Sequence, residues 1–169
     1  FPKEFLKITV SEEEYKETEA LVANLKKNRL NRNVQPKNQL LDGVRSKLIK
    51  NRPIILYMGQ NDNAAGLQPY TENSKRYHSP VFRSSDEAAV YLADICKKNN
   101  WNYIYKPHPM MIESFREEQM PLNVFIVNNI DVNDLIDLSD VVVTILSTVS
   151  YIALIRNKPV LMMGYTQLK

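Results

Sequence analysis

Between Pro53 and Met163 short apolar runs alternate with helical patterns, and this alternation constrains the fold more than any other feature. Ile54–Met58 is an apolar run ending at Gly59, as a buried parallel strand followed by a turn would. Tyr103–Tyr105, Leu122–Val127, Val141–Ile145 and Val160–Met163 are further strand candidates, and the β-branched Val141–Ile145 is the strongest. Ser85 is expected to cap a helix with an apolar face of Ala88, Tyr91, Leu92, Ile95 and Cys96, ending at Asn99–Asn100. Shorter helices are expected over Asp134–Ser139 and about Ser147–Arg156, with Tyr151, Met162 and Met163 in the core. Strand, helix, strand, strand, helix, strand, helix, strand predicts an α/β fold: an open parallel sheet with helices on both faces. Residues 60–85 are polar and turn-rich, a stretch of the kind that is commonly functional or disordered.

An N-terminal helical segment precedes the sheet. Ser11 and Glu14 have capping-box spacing, and Tyr15, Leu21, Val22 and Leu25 form a stripe over about Glu12–Arg29. Asn31–Asn38, with Pro36, reads as a linker, and Leu40–Ile49 as a second short helix. Residues 1–50 are therefore expected to form a helical extension and 51–169 an α/β domain. A chain that opens on Phe1 and stops at Lys169 just after a strand is expected to be part of a longer polypeptide, with the sheet truncated at its C-terminal side. The net charge of +3 belongs to the extension: Lys26–Lys50 holds eight basic residues and one acid, Asp42. That run has no aromatic residue for base stacking, so no nucleic-acid partner is expected. A single Cys96 excludes a disulfide framework, and no apolar run approaches the ~20 residues of a membrane span.

In open parallel sheets ligands sit beyond the carboxyl ends of the strands. This selects Gly59–Asp62, Lys106–Pro109, the turn before Asp131, and Ile145–Ser150. Ser147, Thr148 and Ser150 place three hydroxyls where a helix begins, a position suited to phosphate, although Ser147 would serve equally as an ordinary helix cap. In Lys106-Pro107-His108-Pro109 the flanking prolines restrict the backbone and aim the imidazole. His108 could then donate to a phosphate oxygen or hold a proton near neutral pH, with Lys106 adding a point charge. A histidine satisfied at a loop rim is the plainer alternative, and His78, in the long polar stretch, is the weaker candidate. Asp131, Asp134, Asp137 and Asp140 fit helix caps and a solvated face better than a carboxylate site, and the two histidines lack metal-ligand spacing, so no metal is expected. Neither a P-loop nor a G-x-G-x-x-G is present.

Taken in order, these motifs resemble the C-terminal, nucleotide-sugar-binding half-domain of GT-B glycosyltransferases, and among them the bacterial capsule polysaccharide biosynthesis family that includes the Kdo transferases. The carriers are Ile55-Leu56-Tyr57-Met58-Gly59-Gln60 with Asp62, Tyr105-Lys106-Pro107-His108-Pro109, Leu138–Thr144 running into Ser147-Thr148-Val149, and Lys158-Pro159-Val160 with Gly164. The likeness covers about residues 53–165. Teichoic-acid polymerases that use CDP-glycerol share a similar arrangement, and a non-catalytic nucleotide-binding module is a further alternative.

The resemblance implies a Rossmann-like half-domain in which His108, as the catalytic group, and Lys106 hold the donor phosphate with Ser147, Thr148 and Ser150. Gly59 and Gln60 would line the cleft. It implies transfer of a sugar from a nucleotide-activated, CMP-linked donor with no separate cofactor, to a glycan or glycolipid acceptor. A missing N-terminal acceptor domain would supply the general base, so the isolated fragment is expected to be inactive. The whole protein would be cytoplasmic, with peripheral association at the inner membrane. The family commonly has Gly where Ser150 stands and an acid where Ile152 stands, and an isoleucine cannot accept a hydrogen bond from a ribose or base.

Overall fold

A computed structural model describes residues 7–28, 41–111, 120–121 and 123–165. Five strands form one all-parallel sheet: β1 (Ile54–Met58), β2 (Asn102–Lys106), β3 (Val124–Ile126), β4 (Val141–Thr144) and β5 (Val160–Met162). The order is β3-β2-β1-β4-β5. From β1 the chain builds outward to β2 and β3, then crosses back to place β4 on the other flank of β1. The carboxyl ends of β1 and β4 therefore enclose the point where the winding reverses, and a crevice opens there.

Alternation along the strands feeds two cores. Ile55, Tyr57, Tyr103, Tyr105, Val143 and Ile145 pack on one face against Ala88, Ala89, Leu92, Ala93 and Cys96 of α4 (Ser85–Lys98). Leu56, Met58, Ile104 and Val142 pack on the other against α5 (Val132–Leu138) and α6 (Val149–Ile155). Val44 of α2 (Leu41–Lys47) belongs to that second core. Both faces of the sheet are covered, which is why its strands are apolar at successive positions rather than alternating. Asn100 and Asn157 take positive φ just beyond α4 and α6, a conformation that ends a helix and that asparagine tolerates.

The structure differs from expectation at several places, and side-chain hydrogen bonds to the backbone account for several of them. Residues 60–85 are an ordered segment containing α3 (Glu72–Tyr77), with Thr71 and Ser74 forming a capping box and Leu67 and Phe82 reaching the first core. Their polar residues look like loop formers in sequence because they serve as backbone acceptors. Ser84, rather than Ser85, caps α4 by accepting from the Glu87 N–H; Ser85 is turned inward to Asp62. α5 starts earlier than expected because the Asp131 side chain accepts from the Asn133 N–H. β3 is shorter than expected, Val124–Ile126, with Leu122 outside the described residues. Tyr91 and Tyr151 are 53% and 41% exposed rather than core, and Met162 and Met163 are only half-buried.

At the N-terminus α1 (Glu12–Asn28) has the expected reciprocal bonds between Ser11 and Glu14. Its apolar stripe is only partly covered: α1 lies against α6 with Val22 and Leu25 half-buried, but it buries no residue fully, and Tyr15 and Leu21 stand exposed. Arg29, Arg32, Lys37 and the expected linker lie outside the described residues. No helix among the described residues is long and apolar enough to cross a membrane.

Asn102 ties the approach to β1 onto the start of β2. Its buried side chain accepts from the Ile49 N–H (2.8 Å) and donates to the carbonyls of Ile49 (2.9 Å) and Arg52 (3.1 Å). Asn102→Leu strands these groups, and urea unfolding is expected to show a loss of about 2 kcal/mol. A loss below about 0.5 kcal/mol would show that the turn does not need this anchor.

Candidate functional site

The crevice at the reversal point is a cleft of about 210 Å³. Its lining brings together Gly59 after β1, Lys106 and His108 after β2, and Ser147 and Thr148 after β4. Three segments far apart in sequence meet because β2 and β4 flank β1 on opposite sides.

Gly59 permits the closure. A Cβ there would lie 3.2 Å from the Tyr105 ring and 3.3 Å from the His108 nitrogen, so the absence of a side chain lets the His108 segment approach β1. The Gly59 N–H donates to the Lys106 carbonyl at 2.9 Å, continuing the β1–β2 ladder for one more bond.

Lys106 is the last residue of β2 and is only 5% exposed. Its Nζ donates to the Asn128 carbonyl at 2.9 Å, which leaves two of the three ammonium protons for other acceptors. Burial lowers its pKa to about 8, opposed by the charge of Asp131. The ammonium is thus charged at neutral pH and poorly solvated, a state that an anion in the cleft would favour.

His108 is half-buried, and burial lowers its pKa below the usual histidine value, with Asp62 pulling the other way. Burial thus favours the neutral ring. Its Nδ1 accepts from the Met110 N–H at 3.2 Å, in a short 3₁₀ turn over Pro109–Met111. With Nδ1 engaged as an acceptor, the proton of the neutral ring resides on Nε2. This tautomer makes His108 a hydrogen-bond donor, the role suited to a phosphate oxygen.

The β4–α6 turn is organised differently from the sequence expectation. α6 begins at Val149, and Thr148 at its N-cap makes no side-chain cap. Most N–H groups of the turn are already used: Leu146 donates to Gln60 Oε1 (3.0 Å), Ser147 to Thr144 Oγ1 (3.1 Å), and Val149 to Ser147 Oγ (3.3 Å). The Thr148 N–H has no acceptor among the described residues of this turn. Hydroxyls and the Lys106–His108 pair, more than a row of open helix N–H groups, give the cleft its donors.

Two expected site residues stand behind the wall. Gln60 is 4% exposed and absent from the lining, and Ser150 is fully buried with its hydroxyl donating to the Ser147 carbonyl at 2.9 Å. Ile152 packs against the second core. Conversely, Ala64 and Met110 line the cleft outside the expected segments, and Asn61, inside the expected Gly59–Asp62 turn, lines it without having been named as a site residue. Their only sequence signal is adjacency to Gly59 and His108. His78 sits elsewhere, its ring lying over Gly66, where φ of +73° and a 2.6 Å approach admit only glycine.

Three of the four acids have structural roles. Asp131 caps α5, Asp137 pairs with Arg156, and Asp140 accepts from the Ile54 N–H at 2.8 Å. Lys158 donates to the carbonyls of Asp137 and Ser139, so the Lys158-Pro159-Val160 motif fastens α5 to β5. Among the described residues no three His, Cys, Asp or Glu side chains converge as metal ligands.

Comparison with known proteins accords with the fold. Two solved structures from Thermosulfurimonas dismutans KpsC share the fold: its beta Kdo 2,4 transferase, at 17% identity and a TM-score of 0.61, and its beta Kdo 2,7 transferase, at 20% and 0.60. Each match covers 94% of this chain but only 47% and 44%, respectively, of the solved one, so the chain spans less than half the length of either relative. No curated protein matches the sequence significantly. The family described as "capsule polysaccharide biosynthesis protein" matches residues 12–167, from the first turn of α1 to beyond β5, and with that extent of match the chain belongs to the capsule polysaccharide biosynthesis family.

Proposed function

We propose that the cleft binds the phosphate of a nucleotide-activated sugar, CMP-linked in the form we favour, as the donor half of a glycosyl transfer. The observation that carries this reading is the convergence of the Lys106 ammonium, the His108 imidazole and the Ser147 and Thr148 hydroxyls on one cleft at the reversal point of the sheet. Membership of the capsule family and the fold shared with two Kdo transferases support the choice of donor class.

In such a transfer the bond from the anomeric carbon to the donor phosphate breaks while an acceptor hydroxyl oxygen bonds to that carbon. Negative charge grows on the departing phosphate. Groups that become more favourable as that charge develops lower the barrier. Lys106 supplies the positive charge, and burial makes its interaction stronger than it would be in water. His108 supplies an Nε2–H donor, its orientation set by the Met110 N–H. Ser147 and Thr148 supply hydroxyls that reorient to donate. The neutral Nε2–H tautomer donates rather than accepts, so acceptor deprotonation is assigned to another part of the whole protein. Under this reading the acceptor is a glycan or glycolipid met at the cytoplasmic face of the inner membrane.

Calorimetric titration with CMP, CDP and UDP tests the site, with CMP expected to bind. A folded chain that binds none of the three would refute the donor reading. His108→Ala is expected to weaken CMP binding about tenfold and Ser147→Ala about fivefold, each losing a hydrogen bond to a charged group. Unchanged affinity in both variants would place the nucleotide elsewhere.

The pH dependence follows from Lys106. Bound phosphate favours the charged ammonium, so affinity is expected to hold near pH 7 and fall as pH rises through about 8, where the free protein loses that proton. Lys106→Met should bind more weakly at pH 7 and show a flat profile from there to pH 9. A fall of the same size in that variant would assign the titration to another group.

A further inference from the structure

We infer that Gln60 is a positioning residue that aims the Ser147–Thr148 wall of the cleft, an assignment that rests on the donor-site reading above. Gln60 follows Gly59 directly, yet its side chain turns away from the cleft and is 4% exposed. Its Oε1 accepts from the Leu146 N–H at 3.0 Å, across a sequence separation of 86 residues. The bond fixes the residue immediately before Ser147 and Thr148, at the point where the chain leaves β4.

The other end of Gln60 is held equally firmly. Its N–H donates to Ser85 Oγ at 3.1 Å. The Ser85 hydroxyl donates to Asp62 Oδ1 at 2.8 Å, with the Gln60 carbonyl a longer second acceptor at 3.4 Å, and the Ser85 N–H donates to Asp62 Oδ2 at 2.9 Å. Asp62 and Ser85 are each 4% exposed. One buried bracket thus joins the turn after β1, the first residue of α4 and the turn after β4. The Gln60 Nε2 makes no hydrogen bond in this bracket. Burial raises the Asp62 pKa, opposed by the bonds from Ser85 and, least, by the nearby Gln60 amide. Only one end of the amide is used, and it is the end that holds the β4–α6 turn.

The alternative is that Gln60 merely fills space beneath the site. Gln60→Met retains length and volume but removes the acceptor; Gln60→Glu returns an acceptor to the same place. Amide hydrogen exchange at Leu146 and calorimetric CMP affinity are measured for the 169-residue chain and both variants. Gln60→Met is expected to speed Leu146 exchange at least tenfold and to weaken CMP about tenfold. Gln60→Glu is expected to restore Leu146 protection. Its CMP affinity should recover at pH 5.5, where the new carboxyl can retain a proton, and fall again as pH rises and that carboxyl becomes charged within the buried bracket.

Gln60→Met with Leu146 exposed to exchange but CMP affinity intact would overturn the role, as would Leu146 exchange that does not change. If Gln60→Met does not fold, failure of Gln60→Glu to protect Leu146 overturns it instead. Absence of CMP binding by the unsubstituted chain is a separate result: it refutes the donor reading, whatever the Leu146 exchange rates show about the bracket.

Discussion

The parallel pairing of β1 with β4 is the contact on which the rest depends. Ile55, Leu56 and Tyr57 stand beside Val141, Val142 and Val143, and this register brings the turn after Met58 next to the turn after Thr144. Remove that pairing and the His108 segment, held through β2, no longer faces Ser147. The pairing is also where the apolar demand is highest, because Leu56, Tyr57, Val142 and Val143 are each almost wholly removed from water. A strand covered on both faces has little room for polar side chains, so the chemistry of this fold is displaced to the strand ends.

At those ends most polar groups are consumed by the architecture. Asp62, Ser85, Gln60, Thr144 and Ser150 all satisfy backbone or side-chain partners out of reach of solvent. Buried polar groups left unpaired are costly, and the bracket around Ser85 meets that demand while joining three segments. What is left facing the cleft is a smaller set: Lys106, His108 through Nε2, and the Ser147 and Thr148 side chains. Division between holding the wall and facing the cleft explains why neighbours such as Ser147 and Ser150 stand differently. Ser147 faces the cleft, whereas one helical turn of chain later Ser150 points back at the Ser147 carbonyl.

Much of the sheet was legible in the chain itself. β-Branched and aromatic runs mark β1, β2 and β4, and the position of helices between them marks the parallel topology. The likeness to capsule-synthesis transferases was legible too, because its motifs fall at the strand ends. Residues 60–85 were not legible: Thr71, Ser74, Ser79 and Asp62 have loop-like composition, and only their long-range and capping bonds make the segment ordered. Nor was the fate of Tyr91, Tyr151 and the α1 stripe, since periodicity places an apolar residue on a face without saying whether anything covers that face.

By itself, the sequence determined the class of fold, the strand ends that meet at the reversal point, and the residue types available there. Those follow from periodicity and from short-range steric preference, which are properties of the chain alone. Only the tertiary structure decided which polar groups face the cleft and which hold it. Gln60 and Ser150 stand behind the wall, Asn61 and Met110 stand on it, and the His108 proton sits on Nε2 because the Met110 N–H, two residues on in the 3₁₀ turn, claims Nδ1. Those choices depend on partners brought together by strand pairing and turn geometry, and local composition carries no record of them.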